Sequence, residues 1–223
     1  KVHLEPVPEP PSLLEGLLNG QEPKATVFRK YGIAINNALA LTSTKVKCKK
    51  LPHGHNPMVT IQGKGYCYVS ALEVEEGEDP KFAALYVYDP QLQDAARINN
   101  LYLPGGTTER ERNICEELLI ELQDELHEHN VYVRDFKQIC QIPQDQLDDK
   151  YDFIISEKAR PSDAGSRTYT SHNLSEISVM MPETAGNRDM VMQKRGGGIK
   201  EVKDTHRAAD PLHFVLLHSR GTD

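Results

Sequence analysis

Apolar positions along the chain recur with two different periods. Leu13, Leu14, Leu17 and Leu18 follow Ser12 at helical spacing, and Asn19-Gly20 closes the run. Ser12 is a residue type that caps helices, so the pattern predicts a short helix with Ser12 as its cap. Phe28, Tyr31, Ile35, Leu39 and Thr42 predict a second helix over about Thr26 to Leu41. A third runs from Thr108 to Asn130. There Thr108 and Glu111 have capping-box spacing, and Ile114, Leu118, Leu122 and Leu126 step by four, flanked by Cys115 and Leu119. Acidic residues occupy its other faces, so an amphipathic helix lying on a sheet is expected. A short helix near Val133 to Cys140 follows.

Elsewhere the period shortens. Met58 to Gln62, the turn Gly63-Lys64-Gly65 and Tyr66 to Leu72 predict a hairpin, and Ala83 to Tyr88 a strand stopped at Asp89-Pro90. Asp152 to Ser156 predicts another strand. Leu174 to Met181 fits helix and strand equally. Arg188 to Lys194 and Ile199 to Val202 predict a second hairpin turning through Gly196-Gly197-Gly198. Leu212 to Leu217 predicts a last strand. Helices and strands mix without a βαβ repeat. The expected class is α+β: a mixed, mostly antiparallel sheet with one long amphipathic helix and an N-terminal helical arm. The expected division is 1–50, a proline-rich arm with basic helices; 51–160, an α+β core; and 161–223, a loop, hairpin and final strand.

The 223 residues suffice for one or two domains, and no stretch approaches the roughly 18 apolar residues of a membrane helix. Pro6, Pro8, Pro10 and Pro11 predict an extended N-terminal arm. Four scattered cysteines, without CxxC spacing, read as reduced thiols in an intracellular protein. The first residue is not Met and the last residues interrupt a pattern, so both ends read as cuts from something larger.

The net charge of −7 conceals segregation. Lys24, Arg29, Lys30, Lys45, Lys47, Lys49, Lys50 and Lys64 stand in a window, Lys24 to Gly65, that holds no Asp or Glu. An uncompensated basic window in an acidic chain is the footprint of a polyanion-binding surface. Lys24, Arg29 and Lys30 also stand at the start of the second helix, where the macrodipole disfavours cations, and a phosphate partner would offset that cost.

Sites for catalysis are missing from the pattern. His53-Gly54-His55 and His127-Glu128-His129 are the His-x-His pairs, but the first lies in a Pro-flanked loop. The second lies on a helix, where i and i+2 diverge by about 200°. Neither suits a metal. The tyrosines read as strand packing. Gly196-Gly197-Gly198 lacks the phosphate-loop pattern, and Lys194, Arg195 and Lys200 around it suit positional contact with a phosphodiester backbone. No catalytic residue, metal site or cofactor is expected.

Six stretches, in order, resemble the N-terminal region of Helitron-like rolling-circle transposases. They are Asn36 to Ser43, Thr60 to Lys64, Pro80 to Asp89, His129 to Phe136, Gly186 to Gly198, and Thr205 to Leu217. Departures include Tyr66-Cys67 in place of the family's Tyr-His. The resemblance implies a non-catalytic DNA-interaction and scaffold segment of a eukaryotic, nuclear transposon protein. In that family a cysteine-rich zinc-binding segment precedes this region, and the endonuclease and helicase follow it. Its implied partners are DNA, contacted at the phosphate backbone with low specificity, and those two downstream domains. The phosphate contacts expected are Lys45, Lys47, Lys49 and Lys50, then Lys194, Arg195 and Lys200. The alternative is a protein-interaction domain that packs on the endonuclease and helicase without touching DNA.

Overall fold

The computed structural model describes residues 9–45, 66–69, 82–87, 90–141, 152–155, 178–180, 190–192, 200–203 and 206–221. Most of these are helical. The helices are α1 (Ser12–Asn19), α2 (Ala25–Leu39), α3 (Pro90–Asn100), α4 (Glu109–His129), α5 (Val131–Gln141) and the short α6 (Ala209–His213). A 3-10 helix, Phe82–Val87, precedes α3.

The core is built from helix faces. Leu14 and Leu17 of α1, Phe28, Tyr31, Ile35 and Leu39 of α2, and Cys115, Leu118, Leu119, Leu122 and Leu126 of α4 are buried in one cluster. Tyr132, Val133 and Phe136 of α5 join it, as do Leu212 and Val215 near the end of the chain. The cluster thus draws on residues from 14 to 216. The long helix starts as its sequence implies: the Thr108 side chain accepts the Glu111 N–H, and the Glu111 carboxylate accepts the Thr108 N–H. It rests against α2, not on a sheet.

The expected α+β class with a mixed, mostly antiparallel sheet is therefore corrected to a mainly helical body. The strands β1 (Ser43–Lys45), β2 (Tyr66–Val69), β3 (Asp152–Ile155), β4 (Ser178–Met180), β5 (Met190–Met192) and β6 (Lys200–Lys203) hold three or four residues each. They pair as two separate antiparallel patches, ordered β1-β2-β6 and β4-β3-β5. Ile155 of β3 enters the core cluster.

Several local expectations change with it. Residues 82–87 form a 3-10 helix instead of a strand: Ala83, Ala84, Leu85 and Tyr86 are buried in succession, which alternation does not allow, and Phe82 has φ +54°. Residues 212–217 are not a strand. Leu212, Val215 and Leu216 are buried at a spacing of three and four, which is helical. Neither predicted hairpin forms as such. Both flanks of β2 are taken by β1 and β6, and its expected partner, 58–62, lies outside the described residues. β5 pairs with β3 while β6 pairs with β2. The pattern also hid α3. Ser12 does not cap α1; the Leu13 and Leu14 N–H groups donate to the Glu125 carboxylate of α4, at 3.0 and 3.3 Å. Among the described residues, no helix is long and apolar enough to cross a membrane.

The stretch 206–221 fastens the assembly. Asn36 Nδ2 donates to the His213 carbonyl and its Oδ1 accepts the Leu216 N–H. The Leu41 N–H donates to the Leu212 carbonyl, and the Val131 N–H to that of Arg220. Gly221 has φ +71°, and a Cβ there would stand 2.9 Å from Val131 and 3.0 Å from Asn130. Only glycine fits that close approach.

Candidate nucleic-acid interface

The basic window begins at α2, and its first charges prove to be internal. Lys24 Nζ lies 2.8 Å from Glu117 Oε2 and 2.8 Å from Glu121 Oε1, one turn apart on α4. Partial burial pulls the Lys24 pKa down, but the two carboxylates outweigh it and hold it above its ordinary value. Lys30 Nζ lies 2.5 Å from Glu111 Oε1, and Tyr31 Oη donates to Glu111 Oε2 at 3.1 Å. Lys30, together with the Thr108 cap, drives the Glu111 carboxyl down to about 2, and the Lys30 pKa rises in turn. No phosphate is needed to offset cations at the start of α2. The acidic face of α4 does it.

Arg29 is exposed on the same helix. Its guanidinium lies over Gly20, where a Cβ would meet Nη2 at 2.2 Å and where φ is +77°. Gly20 ends α1 as a left-handed cap that the Asn19-Gly20 pair announced: its N–H donates to the Leu17 carbonyl and the Gln21 N–H to that of Gly16.

Of the seven expected phosphate contacts, the structure places two. Lys45 ends β1 and Lys200 begins β6; Lys47, Lys49, Lys50, Lys194 and Arg195 lie outside the described residues. Both placed residues enter the β1-β2-β6 patch, but at opposite ends. Lys45 stands opposite Tyr66, and Lys200 opposite Val69, three residues or about 10 Å further along β2. The residue in line with Lys45 is Lys203, which also pairs with Tyr66. Sequence reasoning missed Lys203, whose only signal was its place in Lys200-Glu201-Val202-Lys203.

A second polar cluster lies inside the fold. Arg97 of α3 is 1% exposed; its Nε donates to Gln123 Oε1 at 2.9 Å and its Nη1 to the Ala38 carbonyl. Gln123 Nε2 donates to Asp94 Oδ1, and Tyr86 Oη donates to the Leu39 carbonyl at 2.6 Å. Arg97 and Tyr86 thus bond two carbonyls at the last turn of α2, the end where a cation is favoured. The cluster pairs no nucleophile with a base, so its chemistry is that of a helix clamp.

The histidines fit the same picture. His127 Nε2 lies 2.9 Å from Gln93 Oε1, while His129 lies 4.0 Å from Glu128, so the two rings have different partners. His53 and His55 lie outside the described residues. Among the described residues no three His, Cys, Asp or Glu side chains group as metal ligands. Cys115 is buried, and that burial pushes its thiol up to about 11, far from a reactive thiolate. No family model, curated protein or solved structure matches the chain.

Proposed function

We propose that this chain is a non-catalytic DNA-interaction and scaffold segment of a Helitron-like rolling-circle transposase, working in the nucleus beside that protein's endonuclease and helicase. The supporting observation is the charge that remains once the α2–α4 ion pairs are formed. Lys24 and Lys30 are matched within the fold by Glu117, Glu121 and Glu111, which turns attention to the second half of the acid-free window. That half holds Lys45, Lys47, Lys49, Lys50 and Lys64. The register of β1, β2 and β6 carries Lys45 into line with Lys203, whereas Lys200, three residues before Lys203, falls on the opposite face of the patch. Basic segments about 150 residues apart in sequence would then serve one backbone. Lysines act here as point charges, suited to positioning.

The test is a salt titration of binding to two unrelated duplexes. Replacing Lys45, Lys47, Lys49 and Lys50 together with Gln lowers the slope of log affinity against log salt by up to about three, and weakens both duplexes alike. An unchanged slope removes this window as the DNA surface. It leaves the scaffold reading, which the exposed Ile33 (81%) and Leu217 (75%) favour.

A further inference from the structure

The left-handed cap of α1 brings a side-chain amide, a nitrogen nucleophile and a cation together. Asn19 is the only Asn in the sequence that Gly follows. Both Asn19 and Gly20 are exposed. The backbone nitrogen that follows an Asn can attack the Cγ of that Asn, and the side chain of the following residue crowds the approach. Glycine, with no Cβ, leaves it open. The Gly20 N–H is also loosely held. Its bond to the Leu17 carbonyl is 3.4 Å, beyond the usual range of about 2.7–3.2 Å. It closes the last turn of an eight-residue helix, the place where helices fray.

The Arg29 guanidinium stands at the same point. It lies so close that a Cβ on Gly20 would collide with Nη2. Among the described residues no carboxylate forms an ion pair with Arg29. When the Gly20 nitrogen loses its proton and closes on Cγ, negative charge gathers first on that nitrogen and then on Oδ1 of Asn19. A cation held beside these atoms stabilises both stages. The other described asparagines lack this set. Asn36 and Asn130 are buried and hydrogen-bonded through both side-chain atoms. Asn37, Asn99, Asn100 and Asn113 are followed by Ala, Asn, Leu and Ile.

We propose that Asn19 is a self-modification site, at which Gly20 supplies the nucleophile and Arg29 the charge stabilisation. The Gly20 nitrogen bonds to Cγ of Asn19 and the Cγ–Nδ2 bond breaks. Nδ2 leaves as ammonia, carrying a proton in place of the one that the Gly20 nitrogen gave up. Water, the one co-reactant, then opens the cyclic imide. Opening at Cγ gives an aspartate. Opening at the backbone carbonyl gives an isoaspartate, whose main chain runs through Cγ and is one carbon longer. That extra carbon displaces Gly20 from its capping position, so the end of α1 opens. The inference is independent of the DNA-binding reading.

The experiment ages the full chain at mildly alkaline pH, with and without urea, and maps its peptides by mass spectrometry. In the folded chain the Asn19 peptide is converted to aspartate and isoaspartate forms ahead of the peptides that hold Asn37, Asn99, Asn100 and Asn113. The isoaspartate form accepts labelled methyl groups from S-adenosylmethionine and an isoaspartyl methyltransferase. Faster hydrogen exchange at Gly20 and Gln21 in the aged chain marks the opened cap. Arg29→Gln slows the conversion severalfold in the folded chain and leaves it unchanged in urea, and Arg29→Lys restores part of the rate. Asn19→Gln abolishes it. Circular-dichroism melting verifies that these exposed-site variants stay folded. Conversion of Asn19 confined to urea, or equal conversion at the other asparagines, overturns the site. A folded-state rate that Arg29→Gln leaves unchanged overturns the part assigned to Arg29.

Discussion

The Arg97 guanidinium lies 4.0 Å above the centroid of the Tyr86 ring, with both residues buried in the core. A buried guanidinium is tolerable only when its donors are met, because desolvation is otherwise uncompensated. Here Ala38 and Gln123 accept from Nη1 and Nε and the ring face supplies a third favourable contact, while Nη2 is buried with no hydrogen-bond partner among the described residues. The carbonyl end of α2 thus stands in for the carboxylate that a buried Arg usually finds.

Removing either partner should therefore loosen the junction of α2, α3 and the 3-10 helix. Tyr86→Phe leaves the buried Leu39 carbonyl without its donor, and a loss of about 1–3 kcal/mol is expected in urea denaturation. Arg97→Leu frees both Ala38 and Gln123 and should cost about 3 kcal/mol or more. A loss below about 0.5 kcal/mol for both would show that the clamp is not a stabilising element.

His127 makes the fold acid-sensitive. Burial first, then the positive charges of Lys137 and Arg97, lower its pKa from 6.5 to about 4. Nε2 is bonded to Gln93, while Nδ1 is buried with no hydrogen-bond partner among the described residues, so a second proton has nowhere to donate. The folded state holds fewer protons than the unfolded one between these two values. Stability is then fully present above about pH 6.5 and declines as pH falls toward 4, by about 1–2 kcal/mol after solvent screening. His127→Gln should flatten the pH dependence of the melting temperature in that window. The further decline between 4.5 and about 2 belongs to Glu111 and should persist in that variant.

The stripe on α4 yields a graded pair of truncations. Leu118 is fully buried and Leu118→Ala should cost about 2–5 kcal/mol, whereas Ile114 is only partly buried and Ile114→Ala should cost less. Equal losses would mean that the helix is rotated from the described orientation.

How far these features could be read from sequence follows from the range of the interactions involved. The long helix was legible because its cap, Thr108 with Glu111, and its stripe, Leu118, Leu122 and Leu126, are set within a few residues of one another. The same holds for α2 and for the Gly20 cap. The 3-10 helix and α6 were misread because short apolar runs carry no period that separates strand from helix, and only burial on consecutive positions does. Strand pairing was misassigned because β2 takes both its neighbours from far along the chain, Ser43–Lys45 and Lys200–Lys203. Arg97 carries no local signal in the sequence, since the carbonyl that accepts from it lies 59 residues earlier. The candidate interface was readable as a charge count but not as a surface. The acids that neutralise part of it come from a helix 81 to 97 residues away.

That neutralisation separates two kinds of lysine within one basic window. Lys24 bridges Glu117 and Glu121, two carboxylates at i and i+4 that repel when the bridge is gone. Lys24→Gln should lower stability by about 1 kcal/mol or less, because the pairs are partly exposed, and the loss should shrink at high salt. Its DNA salt slope should stay as in the unaltered chain, since that charge is already balanced within the fold. The variant lacking Lys45, Lys47, Lys49 and Lys50 should do the reverse: a flatter slope with a melting temperature close to that of the parent. Measuring melting and binding on both variants at two salt concentrations checks the separation directly. If Lys24→Gln flattened the DNA slope as much per charge as the four-lysine variant, the α2–α4 bridge would have to open on binding, and the charge partition described above would be wrong.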